Sequence, residues 1–399
     1  MPNPDVAIIG AGVVGLATAF ELTQRHPALR LLVLEKEPAV AHHQTGHNSG
    51  VLHSGIYYRP GSLKAKNCRE GRQAMIDFCA AEGIPHDICG KVIVATSEAE
   101  LPALQLIFER GKQNGVRCEI IDQQRLHELE PHAAGIRAIH VSEAGIVDYR
   151  QVCKRLSELV AAAGDNRLLF STRVTGLKRH GDRIVVETSG GEFDVRHVVN
   201  CAGLQSDRVA GMTGQRPPVR IVPFRGEYYE LLPDAHALVR NLIYPVPDPA
   251  FPFLGVHFTR MIGGSVECGP NAVLALGREA YGKFDVNLWD LVQTLAYPGF
   301  ARLAAKHWRM GLGETWRSLS KRAFVTALQR LVPDIRGEHL VPAPSGIRAQ
   351  AVAVDGKLVD DFLVVEAQSV LNVCNAPSPA ATASLNIAKL IVERLANRL

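Results

Sequence analysis

Residues 5 to 35 read DVAIIGAGVVGLATAFELTQRHPALRLLVLE. A short β-branched run leads into the turn GAGVVG, an apolar-periodic stretch follows, and a second apolar run ends in Glu35. That order predicts a strand, a helix and a parallel strand wound as one βαβ unit. Gly10 permits the tight turn, Gly12 lets backbone approach a pyrophosphate, and Gly15 lets the helix lie close to the strand. Phosphates then sit on unpaired amides at the helix start. Glu35 is placed to accept hydrogen bonds from adenosine ribose hydroxyls, and its charge disfavours the 2′-phosphate of NADP. The unit by itself leaves FAD and NAD both open.

Outward from this stretch, the 399 residues suffice for two domains of ordinary size. Apolar residues make up 47% and charged residues 21%, without a low-complexity block, which predicts ordered structure. The run Val6 to Ile9 stops at a glycine turn and lacks the basic leader of a secretion signal, so the amino terminus reads as structure. No stretch approaches the roughly 20 uninterrupted apolar residues of a spanning helix. Eight cysteines without a CxxC pair argue against zinc sites and disulfide frameworks and fit a reducing, cytoplasmic compartment. No metal is expected, and the adjacent His42 and His43 read as a polar loop with diverging side chains. A net charge of +4 is too small to imply nucleic acid as a partner.

The next segment, Thr45-Gly46-His47-Asn48-Ser49-Gly50-Val51-Leu52-His53-Ser54-Gly55-Ile56-Tyr57-Tyr58, combines small hydroxyls, glycines and two histidines. It resembles the FAD-dependent amino-acid and hydroxy-acid oxidoreductases, the family of D-amino-acid oxidase and glycine oxidase. Four further strings carry the resemblance across the chain: PFRGEYYEL from Pro223, GPNAVLALGREAY from Gly269, WRSLSKRAFVTALQRLVPDI from Trp316 and NAPSPAATASL from Asn375. Within the family they point to members that oxidise a small 2-hydroxy diacid, with L-2-hydroxyglutarate expected as substrate and noncovalent FAD as cofactor.

The resemblance implies flavin contacts at Thr45, His47, Asn48 and Ser49. Val174 resembles the strand position whose backbone meets adenine, and the run Val198 to Gly203 ends in Ala202 and Gly203, which fit a second backbone approach to FAD. The stretch around Asn375, Ala376 and Ser378 reads as a strand followed by a helix start, with Ser378 as cap and Pro379 in the first turn. Such a helix would turn its positive end toward the flavin pyrimidine ring. Both chain ends then belong to an α/β, Rossmann-like FAD-binding domain, expected over 1–85, 145–215 and 340–399. An interleaved α+β substrate domain is expected over 86–144 and 216–339. Lys91 to Thr96, Tyr228 to Leu232, Leu242 to Val246 and Leu254 to Thr259 read as strands of its mostly antiparallel sheet.

Oxidising a 2-hydroxy acid requires a base for the hydroxyl proton, a hydride acceptor and a cation for the carboxylate. Arg348 matches the position where relatives carry a carboxylate-binding arginine, and a guanidinium grips a carboxylate through two parallel bonds. His257 is the favoured base and His53 the second candidate. Arg225, Arg278, Tyr57 and Tyr58 are candidates for the distal carboxylate of a diacid.

From Phe300 to Arg330 the basic residues are Arg302, Lys306, Arg309, Arg317, Lys321, Arg322 and Arg330, while Glu314 is the only acid. Trp289, Trp308 and Trp316 fall in or beside this stretch, and Leu319, Ala323, Ala327 and Leu331 recur at helical spacing. A basic amphipathic helical segment near 300–332 is expected, acting as a lid or as a face that binds anionic lipid and brings the flavin near membrane quinone. Alternatives are an amine-oxidising relative and a non-catalytic flavin-binding membrane subunit.

Overall fold

The computed structural model describes residues 3–214, 216–247 and 255–399. Leu254, expected to open the fourth β run, lies outside the described residues, as do Met1, Pro2 and Gln215 at expected domain ends.

The run VAII forms a strand, Val6–Ile9, in which all four residues are buried. It pairs in parallel with Leu31–Leu34 on one side and His197–Asn200 on the other. Continuous apolar runs suit this position, because a parallel strand is covered on both faces. Arg167–Leu169 extends the sheet beyond Leu31–Leu34, Val370–Asn375 extends it beyond His197–Asn200, and the antiparallel strand Leu363–Ala367 closes the edge. Three distant parts of the chain thus build one six-stranded sheet.

Helices Val13–Arg25, Leu63–Ala81, Tyr149–Ala162 and Ser384–Ala396 pack together on one face of this sheet. A three-stranded antiparallel meander, Val174–His180, Arg183–Thr188 and Gly191–Val195, covers the other.

A second, nine-stranded sheet is antiparallel except where Leu242–Pro245 runs parallel to Lys91–Ala95. Its spine is the long pair Val219–Leu231 and Leu340–Ala353, registered from Val219 opposite Ala353 to Leu231 opposite Leu340. Leu340–Ala353, expected with the carboxy-terminal part of the FAD-binding domain, therefore lies in this sheet. Residues of one parity, including Tyr229, Leu231, Phe258 and Cys268, face a core closed by Phe324, Val325 and Leu328 of the helix Lys321–Gln329. Residues of the opposite parity, including Tyr228 and His257, face a cavity between the two sheets.

Two expectations for helices are corrected. The helix after Asn375 begins at Ser384 rather than at Ser378 and Pro379. The buried Thr382 hydroxyl donates to the Val51 carbonyl and contacts the Tyr149 hydroxyl, each at 3.1 Å, and it accepts the His53 N–H at 3.2 Å. Those side-chain bonds tie 378–383 into a turn that competes with helix. The basic segment, expected to keep helical spacing from Leu319 through Leu331, is interrupted there: Pro298–Leu319, itself kinked at His307, is followed by a separate helix Lys321–Gln329. Ser320 breaks it, its hydroxyl accepting Ala323 N–H at 3.2 Å as the cap of the second helix. The stripe Leu319, Ala323, Ala327, Leu331 is consequently split: Leu319 is exposed while Leu331 is buried. No helix among the described residues is long and apolar enough to cross a membrane.

Candidate active site

The cavity between the sheets has a volume of 1290 Å³ and runs without interruption from Gly10 and Glu35 to His53, His257 and Arg348. A pocket for one small ligand is roughly 300–1,000 Å³, so this one has room for a dinucleotide and a small substrate end to end.

At its dinucleotide end the glycines are fixed by sterics. Gly10 has φ +105°, and a Cβ there would lie 2.6 Å from the Cys201 carbonyl oxygen. At Gly15 a Cβ would lie 2.0 Å from the Gly10 carbonyl oxygen, which is why the helix can approach the turn only through glycine. The Glu35 carboxylate accepts Ala11 N–H at 2.8 Å and Glu37 N–H at 3.0 Å. Each oxygen retains a lone pair for a ribose hydroxyl. Thr45 Oγ1 accepts Val13 N–H at 3.1 Å at the helix start. Val174, Ala202 and Gly203 line the same end, and Gly203 has φ +50° where a Cβ would meet Gln44 Oε1 at 2.8 Å.

Further along, Asn48 and Asn375 line the cavity, but their side chains are engaged in holding loops. Asn48 bonds Gln44 O, Thr45 O and Gly50 N. Asn375 Nδ2 donates to the Val359 and Asp361 carbonyls, each at 2.9 Å, while its buried Oδ1 has no partner among the described residues. His47 Nδ1 meets the Ser345 carbonyl at 2.9 Å and its ring lies 4.3 Å from that of Tyr281. Ser49, Ala376 and Ser378 also line the cavity. Backbone amides and glycine hollows facing a long cleft, with a buried acid at one end, fit the phosphates and ribose of FAD.

At the far end the cavity gathers His53, His257, Arg348, Tyr57 and Tyr58, all singled out by sequence. His257 Nδ1 lies 2.9 Å from the Gly255 carbonyl, and its ring packs 4.1 Å from that of Tyr244. Burial, with smaller repulsion from Arg348 and Lys91, holds His257 down to about 3. Burial and the same cations, with Lys64, hold His53 down to about 3. Both imidazoles are neutral at pH 7. Arg348 hydrogen-bonds the Tyr228 hydroxyl, whose own titration burial pushes up to about 12. The Tyr57 hydroxyl is buried without a partner among the described residues, and that of Tyr58 bonds Ser378.

Arg225 and Arg278 are not brought to this cavity, correcting their candidacy for a substrate carboxylate. Arg225 bonds the Gly282 carbonyl and Glu227, each at 2.9 Å. Arg278 pairs with Asp207 and donates to the Leu204 carbonyl at 2.7 Å. A buried guanidinium must be matched by acceptors where it lies, and each of these two meets a carboxylate and a carbonyl there. His42 and His43, expected to diverge, both approach Glu37, at 3.8 and 3.3 Å. The three form a cluster of metal-ligand type, but the Lys36 ammonium sits 3.3 Å from His43 Nε2 and bonds Glu37, so a cation already occupies its charge. Sequence reasoning missed Lys64 and Tyr244 on the cavity wall and Lys91 behind it. A lysine opening the apolar run KVIVA was the available signal for the last.

A glycine-turn βαβ unit opening into a cleft walled by an antiparallel sheet, with histidines and an arginine at its far end, defines a two-lobed dinucleotide-dependent oxidoreductase. The chain matches the FAD-dependent oxidoreductase family over residues 5–394 and belongs to that family. It is 49% identical to an L-2-hydroxyglutarate dehydrogenase of Indibacter alkaliphilus, covering 98% of both chains. It is 45% identical to an L-2-hydroxyglutarate dehydrogenase of Escherichia coli, over 98% of this chain and 93% of the relative. Its fold is similar to that of an FAD-bound L-alpha-glycerophosphate oxidase from Mycoplasma pneumoniae, with a TM-score of 0.82 at 22% identity, covering 99% of this chain and 95% of the other.

Proposed function

We propose that the chain oxidises L-2-hydroxyglutarate to 2-oxoglutarate, with His257 as base, His53 as a substrate contact and Arg348 holding the carboxylate beside the reacting carbon. The observation that carries this reading is the single cavity joining the dinucleotide end to His257 and Arg348. FAD held along this cleft would supply the two-electron acceptor for the hydride that leaves C2. A carbonyl can only accept, so the Gly255 contact assigns the His257 proton to Nδ1 and leaves the Nε2 lone pair to take the substrate hydroxyl proton. A bound carboxylate nearby raises the basicity of this imidazole from its depressed value. Tyr57 and Tyr58 are the donors proposed for the distal carboxylate. Gly10, Gly12, Gly15, Glu35 and the backbone of Val174, Ala202 and Gly203 are proposed to hold the dinucleotide, with the segment Thr45 to Ser49 and Asn375 to Ser378 along the flavin.

We also propose that residues built around the six-stranded sheet form the FAD lobe and those of the nine-stranded sheet the substrate lobe. The test of function is anaerobic mixing of the yellow holoenzyme with L- and D-2-hydroxyglutarate, lactate, glycerol 3-phosphate and an amino acid. Bleaching by the L-hydroxy diacid alone is expected. Bleaching by an amino acid instead would establish the amine-oxidising alternative, and no bleaching by any compound would point to a flavin-binding subunit.

For the electron acceptor, we propose membrane quinone reached through lipid contact. The supporting observation is a run of exposed apolar side chains, Phe284 (85% exposed), Leu288 (72%) and Trp289 (67%), followed by exposed Trp308, Leu312 and Trp316 spaced four residues apart in Pro298–Leu319. Arg302 and Lys306 precede and Arg309 follows the kink at His307 in Pro298–Leu319, and the one acid of 300–330, Glu314, is turned inward to Ala272 N and Arg317. Interfacial tryptophans beside basic residues bind anionic bilayers. Sedimentation with vesicles containing anionic lipid is expected to pull down the chain and to fail for Trp289→Ser with Trp316→Ser. Equal recovery in the supernatant with and without vesicles would sink the proposal.

A further inference from the structure

Lys91 opens the strand Lys91–Ala95 and is 2% exposed. Among the described residues no carboxylate pairs with it. Its contacts are the ring faces of Tyr57 and Tyr244, whose centroids lie 4.7 and 4.9 Å from Nζ. Both rings line the cavity and Lys91 does not, so the charge sits behind them. A buried ammonium is costly unless a counter-charge meets it, and two ring faces supply only part of that.

The surroundings do not balance it either. Cys68 is held as a neutral thiol, its titration pushed up by burial to about 12. His53 and His257 are neutral at pH 7 and supply no counter-charge, and the nearby Lys64 has Asp360 and Asp361 facing its own ammonium. Beside the Lys91 ammonium the Tyr57 hydroxyl is buried with no partner among the described residues. An unsatisfied donor and an unbalanced cation at one place are the complement of an anion.

We infer that Lys91 is a positioning and specificity residue, a buried cation behind Tyr57 and Tyr244 that the second carboxylate of a dicarboxylic hydroxy acid balances while accepting the Tyr57 hydroxyl proton in a hydrogen bond. This rests on the hydroxy-diacid reading above and adds the element that discriminates two carboxylates from one. Arg348 serves the carboxylate beside the reacting carbon in diacids and monoacids alike. Lys91 and Tyr57 together favour only the diacid.

The test is calorimetric titration of the flavin-loaded enzyme with 2-oxoglutarate and with 2-oxopentanoate, which has the same five-carbon chain and one carboxylate. Lys91→Met removes the charge and keeps most of the stem. It is expected to weaken 2-oxoglutarate binding about tenfold or more, the effect of one lost charge-assisted contact, and 2-oxopentanoate binding less than about threefold. Lys91→Arg is expected to retain most of the preference and Tyr57→Phe to lose part of it, so the inference stays testable if Lys91→Met does not load flavin.

Burial pulls Lys91 down to about 8, so wild-type preference for the diacid should decline between pH 7 and 9 more steeply than that of Lys91→Met. Tyr57, Tyr244 and Cys68 titrate above that window and the two histidines below it. Lys64 and Arg348 are present in both proteins. Equal weakening of both acids, or preference unchanged in Lys91→Met and Tyr57→Phe, overturns the inference. Failure of L-2-hydroxyglutarate to bleach the wild-type flavin would instead sink the substrate reading, so the two failures are separable.

Discussion

His257 donates its Nδ1 proton to the Gly255 carbonyl at 2.9 Å, and this one contact fixes the tautomer that faces the cavity. The remaining nitrogen is a lone-pair acceptor on a ring already braced against Tyr244 at 4.1 Å. Orientation and protonation state are thus set before substrate arrives.

His257→Ala is expected to slow anaerobic flavin reduction by roughly 10²–10⁴-fold, the usual share of a general base, with flavin content unchanged. Stopped-flow absorbance measures it. A rate within about threefold of wild type would transfer the role to His53.

Arg348→Met is expected to raise the half-saturating hydroxy-acid concentration by about tenfold or more, because a neutral side chain cannot grip a carboxylate. Lys at the same place should recover only part of this, since it lacks the planar fork. Steady-state kinetics on folded, flavin-loaded protein decides it, and an unchanged half-saturation would remove Arg348 from the site.

Arg278→Ala has a different expected signature. Asp207 is left buried without its guanidinium partner, a loss on the order of 3–5 kcal/mol of stability. Substrate saturation in the surviving folded fraction should be unaltered. Urea unfolding together with kinetics checks both halves, and a saturation defect without destabilisation would return Arg278 to the list of ligands.

Gly15→Ala is expected to abolish or strongly weaken flavin binding, since its Cβ would fall 2.0 Å from the Gly10 carbonyl oxygen and force helix and turn apart. The flavin-to-protein absorbance ratio of the purified variant measures this. A fully yellow variant would contradict the proposed seat of the dinucleotide.

Acid should destabilise the fold through His257. Its folded value of about 3 lies below the ordinary imidazole value of 6.5, so the unfolded chain binds the extra proton between these limits. Stability is intact above pH 6.5 and falls as pH drops toward 3, by about 2 kcal/mol at pH 5 from this group alone. Glu267, raised by burial to about 7, acts with the opposite sign below pH 7. The thermal midpoint at pH 5 against pH 7 should drop in wild type and drop less in His257→Gln. An equal drop in both would remove His257 as the cause.

The dinucleotide end was legible in the sequence because its requirements are local. Gly10, Gly15 and Glu35 lie within one βαβ unit, where spacing alone brings a turn, a helix start and a strand end together. At the far end, the sequence singled out Arg348 for the carboxylate beside the reacting carbon and named His53 and His257, but it could not separate Arg225 and Arg278, candidates for the distal carboxylate, from the residues that reach the cavity. Sheet register made that separation. It turns Arg348 toward the cavity, pairs Arg225 with Glu227 and leaves Lys91 behind two tyrosine rings. Nor did helical periodicity foresee the break at Ser320, because a capping hydroxyl competes with the apolar repeat only when its partner amide is in place. Local chemistry follows from neighbours in the chain. The choice of which buried charge meets a ligand depends on strands distant in sequence, which set Phe224 opposite Arg348 and Ile243 opposite Val92.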